Sequence, residues 1–377
     1  MDGRADHDHD GVGAGGVHTP GTSTMELIKR RIAETGPLPV ASFMRLALSE
    51  PGIGYYATRD PLGAAGDFVT APEISQMFGE MIGLWCVDLW EKFGKPDLFL
   101  LVELGPGRGT LMADALRAAR VRPEFLRAMR LHLVEISRPL RVKQAQRLGA
   151  FAPAWHDEVA DVPDGLMILL GNEFLDALPI HQFQMTDKGW RERAVGLMDG
   201  ELAWTHDAPG PELDLLRPAH RKAKPGDIAE ICPAALSLAE ALAGRFARDG
   251  GVALFLDYGP TRSGLGDSFQ ALRGHRPADP LREAGQADLT AHVDFAALAD
   301  KARAGGANAF GPIGQGPFLQ ALGIEQRASM LAAKANEADR AAIAASLHRL
   351  IAPAQMGSLF KALAIAAPQV TELAGFS

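Results

Sequence analysis

Short unbroken apolar runs, each closed by an acid or a glycine turn, set the rhythm of the chain. Residues 98–102 (LFLLV) end on Glu103, 130–136 (RLHLVEI) carry Glu135 near their end, 166–170 (LMILL) run into Gly171-Asn172-Glu173, and 252–256 (VALFL) stop at Asp257. Runs without polar alternation predict strands buried on both faces of a parallel sheet. Between them the apolar positions take helical spacing, at 111–119 and at 233–248, the second closed by Gly250-Gly251. Strand and helix therefore alternate, as βαβ units require. A short third strand closes at Trp155-His156-Asp157, and 308–313 and 360–365 predict the last two, separated by two helices over roughly 316–352. The expected fold is α/β: a Rossmann-like sheet of seven mostly parallel strands.

Other stretches depart from that rhythm. Residues 25–33 and 40–49 predict helices around the breaker Gly36-Pro37-Leu38-Pro39, and 74–93 predict one long helix whose Met, Phe, Trp and Leu stripe is core packing. The glycine-rich 63–73 (GAAGDFVTAPE), with Asp67, Thr70 and Glu73, is costly to order alone and reads as an active-site cover. After the fourth strand, 182–209 alternate in short segments with turns at Asp187-Lys188-Gly189 and Asp199-Gly200, a β-hairpin or small meander suited to shaping a substrate pocket. A further short strand is expected at 227–231, and 263–290 form a long Gly- and Pro-rich connection before a helix at 294–304. Three parts are expected: a disordered tail at 1–24, N-terminal helices with the cover loop at 25–95, and the core at 96–377 with inserts at about 180–230 and 260–295.

Composition narrows the class. A hydrophobic content of 47% with 22% charged residues is that of a soluble globular protein, and the net charge of −8 argues against nucleic-acid binding as the main task. Cys86 and Cys232 are too few and too far apart for a disulfide framework, no apolar stretch is long enough to insert in a membrane, and no signal-type segment opens the chain. A cytoplasmic setting is expected. His7, His9 and His18 belong to the solvated tail, and no metal site is expected.

The chemistry concentrates after the first strand, in Glu103-Leu104-Gly105-Pro106-Gly107-Arg108-Gly109. Strand, glycine turn and helix start put backbone N–H groups at a strand's carboxyl end, where open α/β sheets bind ligands. The third glycine comes one residue early for a dinucleotide fingerprint, and no Gly-Lys follows for a phosphate loop. A nicotinamide-dependent oxidoreductase is therefore disfavoured. The form E-x-G-x-G-x-G resembles the first motif of class I S-adenosylmethionine (SAM)-dependent methyltransferases, and an acid there suits the ammonium of SAM's methionine end. Glu135, ending the second strand, suits ribose hydroxyls, and Trp155 or His156 is placed either to meet adenine or to anchor the core. Asn172, Glu173 and Asp176 leave the fourth strand beside the expected methyl position.

Six segments together, GDFVTAPEISQMFGEMIG, VELGPGRGTLM, HLVEIS, GNEFLDALPIHQF, LDYG and DLTAHVDF, occur in one order from about 25 to 364. They resemble the MidA-like family of SAM-dependent methyltransferases, whose mitochondrial member is the arginine methyltransferase that assists assembly of respiratory complex I (NADH dehydrogenase). The chain is similar to bacterial-type members. The resemblance implies a SAM site of Glu103, Gly105, Pro106, Gly107, Gly109 and Glu135, with Gly66 and Asp67 from the cover loop and Asn172 after the fourth strand. It also implies a protein substrate, an arginine in a complex I subunit.

For such an acceptor, carboxylates can hold the guanidinium by bidentate bonds. Glu173 is the expected clamp, with Glu73 or Asp176 as partner. Glu173 could instead cap the next helix, and Asp176 could be helix-start chemistry. His181 and His275 are candidate general bases or plain loop histidines. Two other functions remain open at this stage: methylation of a small-molecule acceptor, and a SAM-binding assembly chaperone without essential catalysis.

Overall fold

The computed structural model describes residues 23–58 and 70–376. Seven strands form the central sheet: β1 (Phe99–Leu104), β2 (Met129–Val134), β3 (Ala154–His156), β4 (Met167–Asn172), β5 (Gly251–Tyr258), β6 (Asn308–Gly314) and β7 (Phe360–Ala366). Their order across the sheet is β6-β7-β5-β4-β1-β2-β3. β3, β2, β1, β4 and β5 pair in parallel, while β7 runs antiparallel to both β5 and β6. The chain leaves β1 toward β2 on one side and resumes at β4 on the other, so a crevice opens at the carboxyl ends of β1 and β4.

The apolar runs explain this sheet. All six residues of β1 are buried. Phe99 and Leu101 pack into one core with the helices Gln76–Lys92 and Thr110–Ala118, whereas Leu100, Val102 and Leu104 pack into a second with Pro233–Asp249 and Phe295–Ala304. A strand that feeds two cores has no polar face to alternate.

A third apolar cluster unites segments remote in sequence. Leu27, Ile28, Phe43 and Met44 of the helices Thr24–Thr35 and Val40–Ser49 pack with Val195 of the first insert and with Ala271 and Leu289 of the second. The first insert is an antiparallel sheet of His181–Thr186, Gly189–Met198, Glu201–Asp207 and Ile228–Ile231, extended by Leu38–Pro39 of the N-terminal segment. The short strand expected at 227–231 thus joins the insert, not the central sheet. Within 263–290 the chain forms a small sheet of Gln270–Arg273, Arg276–Ala278 and Asp288–Thr290.

Boundaries differ in three places, each with a local cause. The long helix starts at Gln76, not residue 74, because Ser75 caps it by accepting the Met77 N–H at 3.2 Å. The two helices expected over 316–352 are three, Gln315–Ala321, Ile324–Ala332 and Glu337–Ile351, divided at left-handed Gly323 and at the cap Asn336. The second strand stops at Val134, leaving Glu135 just past its end. The tail expected at 1–24, with His7, His9 and His18, lies outside the described residues up to position 22, as do Gly66 and Asp67.

Candidate active site

The turn after β1 is shaped by its glycines. Gly105, Gly107 and Gly109 have φ of 57°, 53° and 73°, a left-handed conformation that glycine adopts freely and other residues at a cost. Gly109 is the N-cap of Thr110–Ala118. A Cβ on Gly105 would stand 3.0 Å from the Phe174 ring, so the turn abuts the segment that leaves β4. The buried amide of Gln144 ties the turn to its neighbours: it donates to the Gly107 carbonyl at 2.7 Å and to Glu135 at 3.2 Å, and accepts from the Trp155 indole at 2.8 Å. Trp155 is therefore anchored on Gln144 and the core, and does not line the cleft; His156 is stacked on His132.

A cavity of about 530 Å³ runs along the carboxyl ends of β1 to β4, a size suited to a cofactor. Gly105, Gly107 and Glu135 line one end, beside Val134, Ile136 and Val159; Glu173, Asp176, Tyr56 and Asp288 line the other. Ile136 is 51% exposed although apolar, leaving a hydrophobic face for a flat ring. Glu135 accepts the Ser137 N–H at 2.7 Å, and burial raises its pKa to about 7.

At the opposite end, Glu173 holds a left-handed backbone, φ 48°, that is costly for a residue with a Cβ. Its N–H donates to the Leu256 carbonyl at 2.8 Å, and its half-buried carboxylate accepts from the Ala71 N–H at 2.9 Å and the Asn172 amide at 3.2 Å. Burial raises Glu173 to about 7, against the pull of the Ala71 N–H, and raises buried Asp176 to about 6. The Tyr258 hydroxyl lies beside Asp176 and Thr290 without a well-aligned hydrogen bond. Tyr56 donates to Asp288 at 2.7 Å.

Several expected residues stand elsewhere. Glu73 does not line the cavity: its carboxylate accepts from the Thr110 hydroxyl at 2.5 Å, at the first residue of the helix after the glycine turn, and Arg147 donates to the same hydroxyl. Glu103, Pro106, Gly109 and Asn172 are likewise absent from the wall. Glu103 is buried near Cys86, its Oε2 without a partner, and burial followed by the charge of Glu135 raises its pKa to about 8. His181 bonds Glu192 at 2.6 Å inside the insert, and His275 occupies a hairpin turn at φ 62°; neither lines the cavity. Gln144, Tyr56, Asp257 and Asp288 were not singled out from sequence. Only Asp257 carried a usable signal, as an acid ending a strand.

This set fits a SAM-like group. A ligand with hydroxyls and a flat base meets the open backbone of the glycine turn, an acid at the end of β2, and the apolar walls of Val134, Ile136 and Val159.

Sheet order, glycine turn and switch-point cavity together define a class I SAM-dependent methyltransferase. Residues 81–313 match the family described as S-adenosyl-L-methionine-dependent methyltransferases. The chain belongs to that family, as the resemblance to MidA-like proteins implies, and SAM is its cofactor. It is 36% identical over 374 residues to human "Protein arginine methyltransferase NDUFAF7, mitochondrial", covering 93% of this chain and 84% of that one. It is 38% identical over 379 residues to the Drosophila melanogaster homolog, with coverage of 91% and 84%. A Burkholderia thailandensis protein crystallised with S-adenosyl-homocysteine superposes with a TM-score of 0.80 at 27% identity, over 94% of each chain. No helix among the described residues is long and apolar enough to cross a membrane.

Proposed function

We propose that the chain methylates an arginine guanidinium of a protein, and that the two ends of the cavity divide the work. The observation that carries the reading is the convergence of Glu173 and Asp176 on the cavity that the glycine turn and Glu135 line from the other side. Arginine also agrees with the printed names of the human and fly relatives.

In this reading Gly105, Pro106, Gly107 and Gly109 shape the cofactor bed, Glu135 accepts from the ribose hydroxyls, and Glu103 and Asn172 belong to the site by family resemblance, behind the wall rather than on it. Gly66 and Asp67 belong to the same bed by family resemblance. Bound SAM supplies an electrophilic methyl group on a sulfonium. Glu173 and Asp176 grip the guanidinium by charge-assisted hydrogen bonds, fix one nitrogen in line, and exclude water from it. As the N–C bond forms and the C–S bond breaks with its electrons to sulfur, the nitrogen's proton leaves to a clamp carboxylate. Asp176 is preferred to Glu73 as Glu173's partner because Glu73 is engaged by Thr110; Glu73 then serves to tie the cover segment to the glycine-turn helix.

The acceptor extends, on the family resemblance, to a subunit of NADH dehydrogenase whose assembly the modification aids. A cytoplasmic setting is part of the reading, supported by the two free cysteines, Cys86 and Cys232. The test is mass spectrometry of cell extract incubated with the protein and isotope-labelled SAM. Label on an arginine of that subunit is expected; label confined to small molecules, or none, contradicts the reading.

A further inference from the structure

The segment that carries the acidic end of the cavity has no regular structure of its own. It is held from beneath by one side chain. Asp257, at the end of β5, is fully buried, and its Oδ2 accepts three successive N–H groups, those of Phe174 at 3.1 Å, Leu175 at 2.9 Å and Asp176 at 3.2 Å. Its Oδ1 accepts the Tyr258 N–H at 2.9 Å. Three consecutive N–H groups turned to one point form an anion nest of the kind that usually receives a ligand phosphate. Here the chain fills the nest with its own carboxylate, and the nest's backbone is the one from which Glu173 and Asp176 project.

We propose that Asp257 is a positioning residue for methyl transfer, setting through this nest the spacing of the acceptor-side carboxylates Glu173 and Asp176. This rests on the reading that those two groups hold the acceptor. One consequence separates it from plain core support. The nest carries the acceptor side of the cavity and meets the glycine turn through the Phe174 ring beside Gly105, so its loss should act on acceptor binding first and on the cofactor bed far less.

Burial, followed by the charge of Asp176, raises Asp257 well above the usual carboxylate range, so its hold on the segment lies in its hydrogen bonds and not in a fixed charge.

The test uses Asp257→Asn in the full chain with a lysine-free peptide containing one arginine. Expected are SAM affinity within threefold of wild type by calorimetry and peptide kcat/KM down at least 30-fold. Peptide affinity of the enzyme saturated with S-adenosyl-homocysteine should weaken in parallel. Peptide kcat/KM within threefold of wild type, or SAM affinity falling along with activity, overturns the proposal. If that variant does not fold, Asp257→Glu keeps the carboxyl group and shifts it by one methylene: peptide kcat/KM should fall at least tenfold with SAM affinity unchanged, and wild-type kinetics overturn the proposal. Glu173→Gln serves as the separate control. If it remains active, the reading of the acceptor carboxylates fails whatever Asp257 does.

Discussion

The two ends of the cavity share one cleft but draw on different distances along the chain. The glycine-turn end is local: β1, Gly105, Gly107 and Gly109 lie within one short stretch, and Glu135 follows the next strand directly. The acidic end is gathered from afar. The Ala71 N–H reaches Glu173 across 102 positions, Asp257 reaches Asp176 across 81, and Tyr56 reaches Asp288 across 232. The local end relies on backbone conformation, whereas the distant end relies on buried carboxylates held by other elements. A local end is rigid as soon as its strand and helix form; the distant end needs the whole fold in place before its charges are spaced.

The largest effect should come from the acidic end. Glu173→Gln should lower single-turnover methylation of an arginine peptide at least about 100-fold, or about 2.7 kcal/mol; a loss below threefold would break the assignment. Next, Glu135→Ala removes a charged acceptor and should weaken SAM binding about tenfold to 100-fold by calorimetry, with turnover at saturating SAM retained.

The pH dependence should follow the acidic end. Burial raises Glu173 to about 7 and Asp176 to about 6, so KM for the arginine peptide should fall about tenfold as pH rises from about 6 to 8. A flat KM would remove the carboxylates from acceptor binding. Gly105→Ala is the variant most able to blur the comparison, because its Cβ would meet Phe174 at a backbone φ of 57°. It should cost about 1–2 kcal/mol of stability and lower both SAM affinity and turnover several-fold, since it pushes one end into the other.

The smallest effect concerns stability. Glu173 ionises near 4.5 when unfolded and about 7 when folded, so the native state holds the extra proton and loses stability as pH rises between those values. Glu173→Gln should therefore be more stable than wild type at pH 8, by about 1 kcal/mol after allowance for partial exposure. Denaturant unfolding at pH 8 and pH 5 checks this: the gain should shrink at the lower pH.

The same contrast explains what could be read in advance. Seven strands, the glycine turn, Glu135 and the insert after β4 were legible because each is written in neighbouring residues: an apolar run, a turn glycine, an acid at a strand end. Glu173 and Asp176 were found as acids leaving β4, but the fixing of their backbone by Asp257, and the presence of Tyr56 and Asp288 beside them, depend on packing that no periodicity records. Glu73 was expected at the acceptor and Glu103 at the cofactor wall. Glu73 instead turns to Thr110, and Glu103 lies inside the core, because which way a side chain points at a strand or loop end is decided by the elements stacked on it. His181 misled for the same reason, being claimed by Glu192 within the insert.

The most direct test of the division is a crossed measurement on two variants, Glu135→Ala and Glu173→Gln: SAM dissociation constant by calorimetry, and arginine-peptide turnover at saturating SAM. The account predicts that Glu135→Ala changes the first and spares the second, while Glu173→Gln leaves SAM binding within threefold of wild type and abolishes turnover. If both variants lose affinity and turnover together, the cavity has no separate donor and acceptor ends, and the account is wrong.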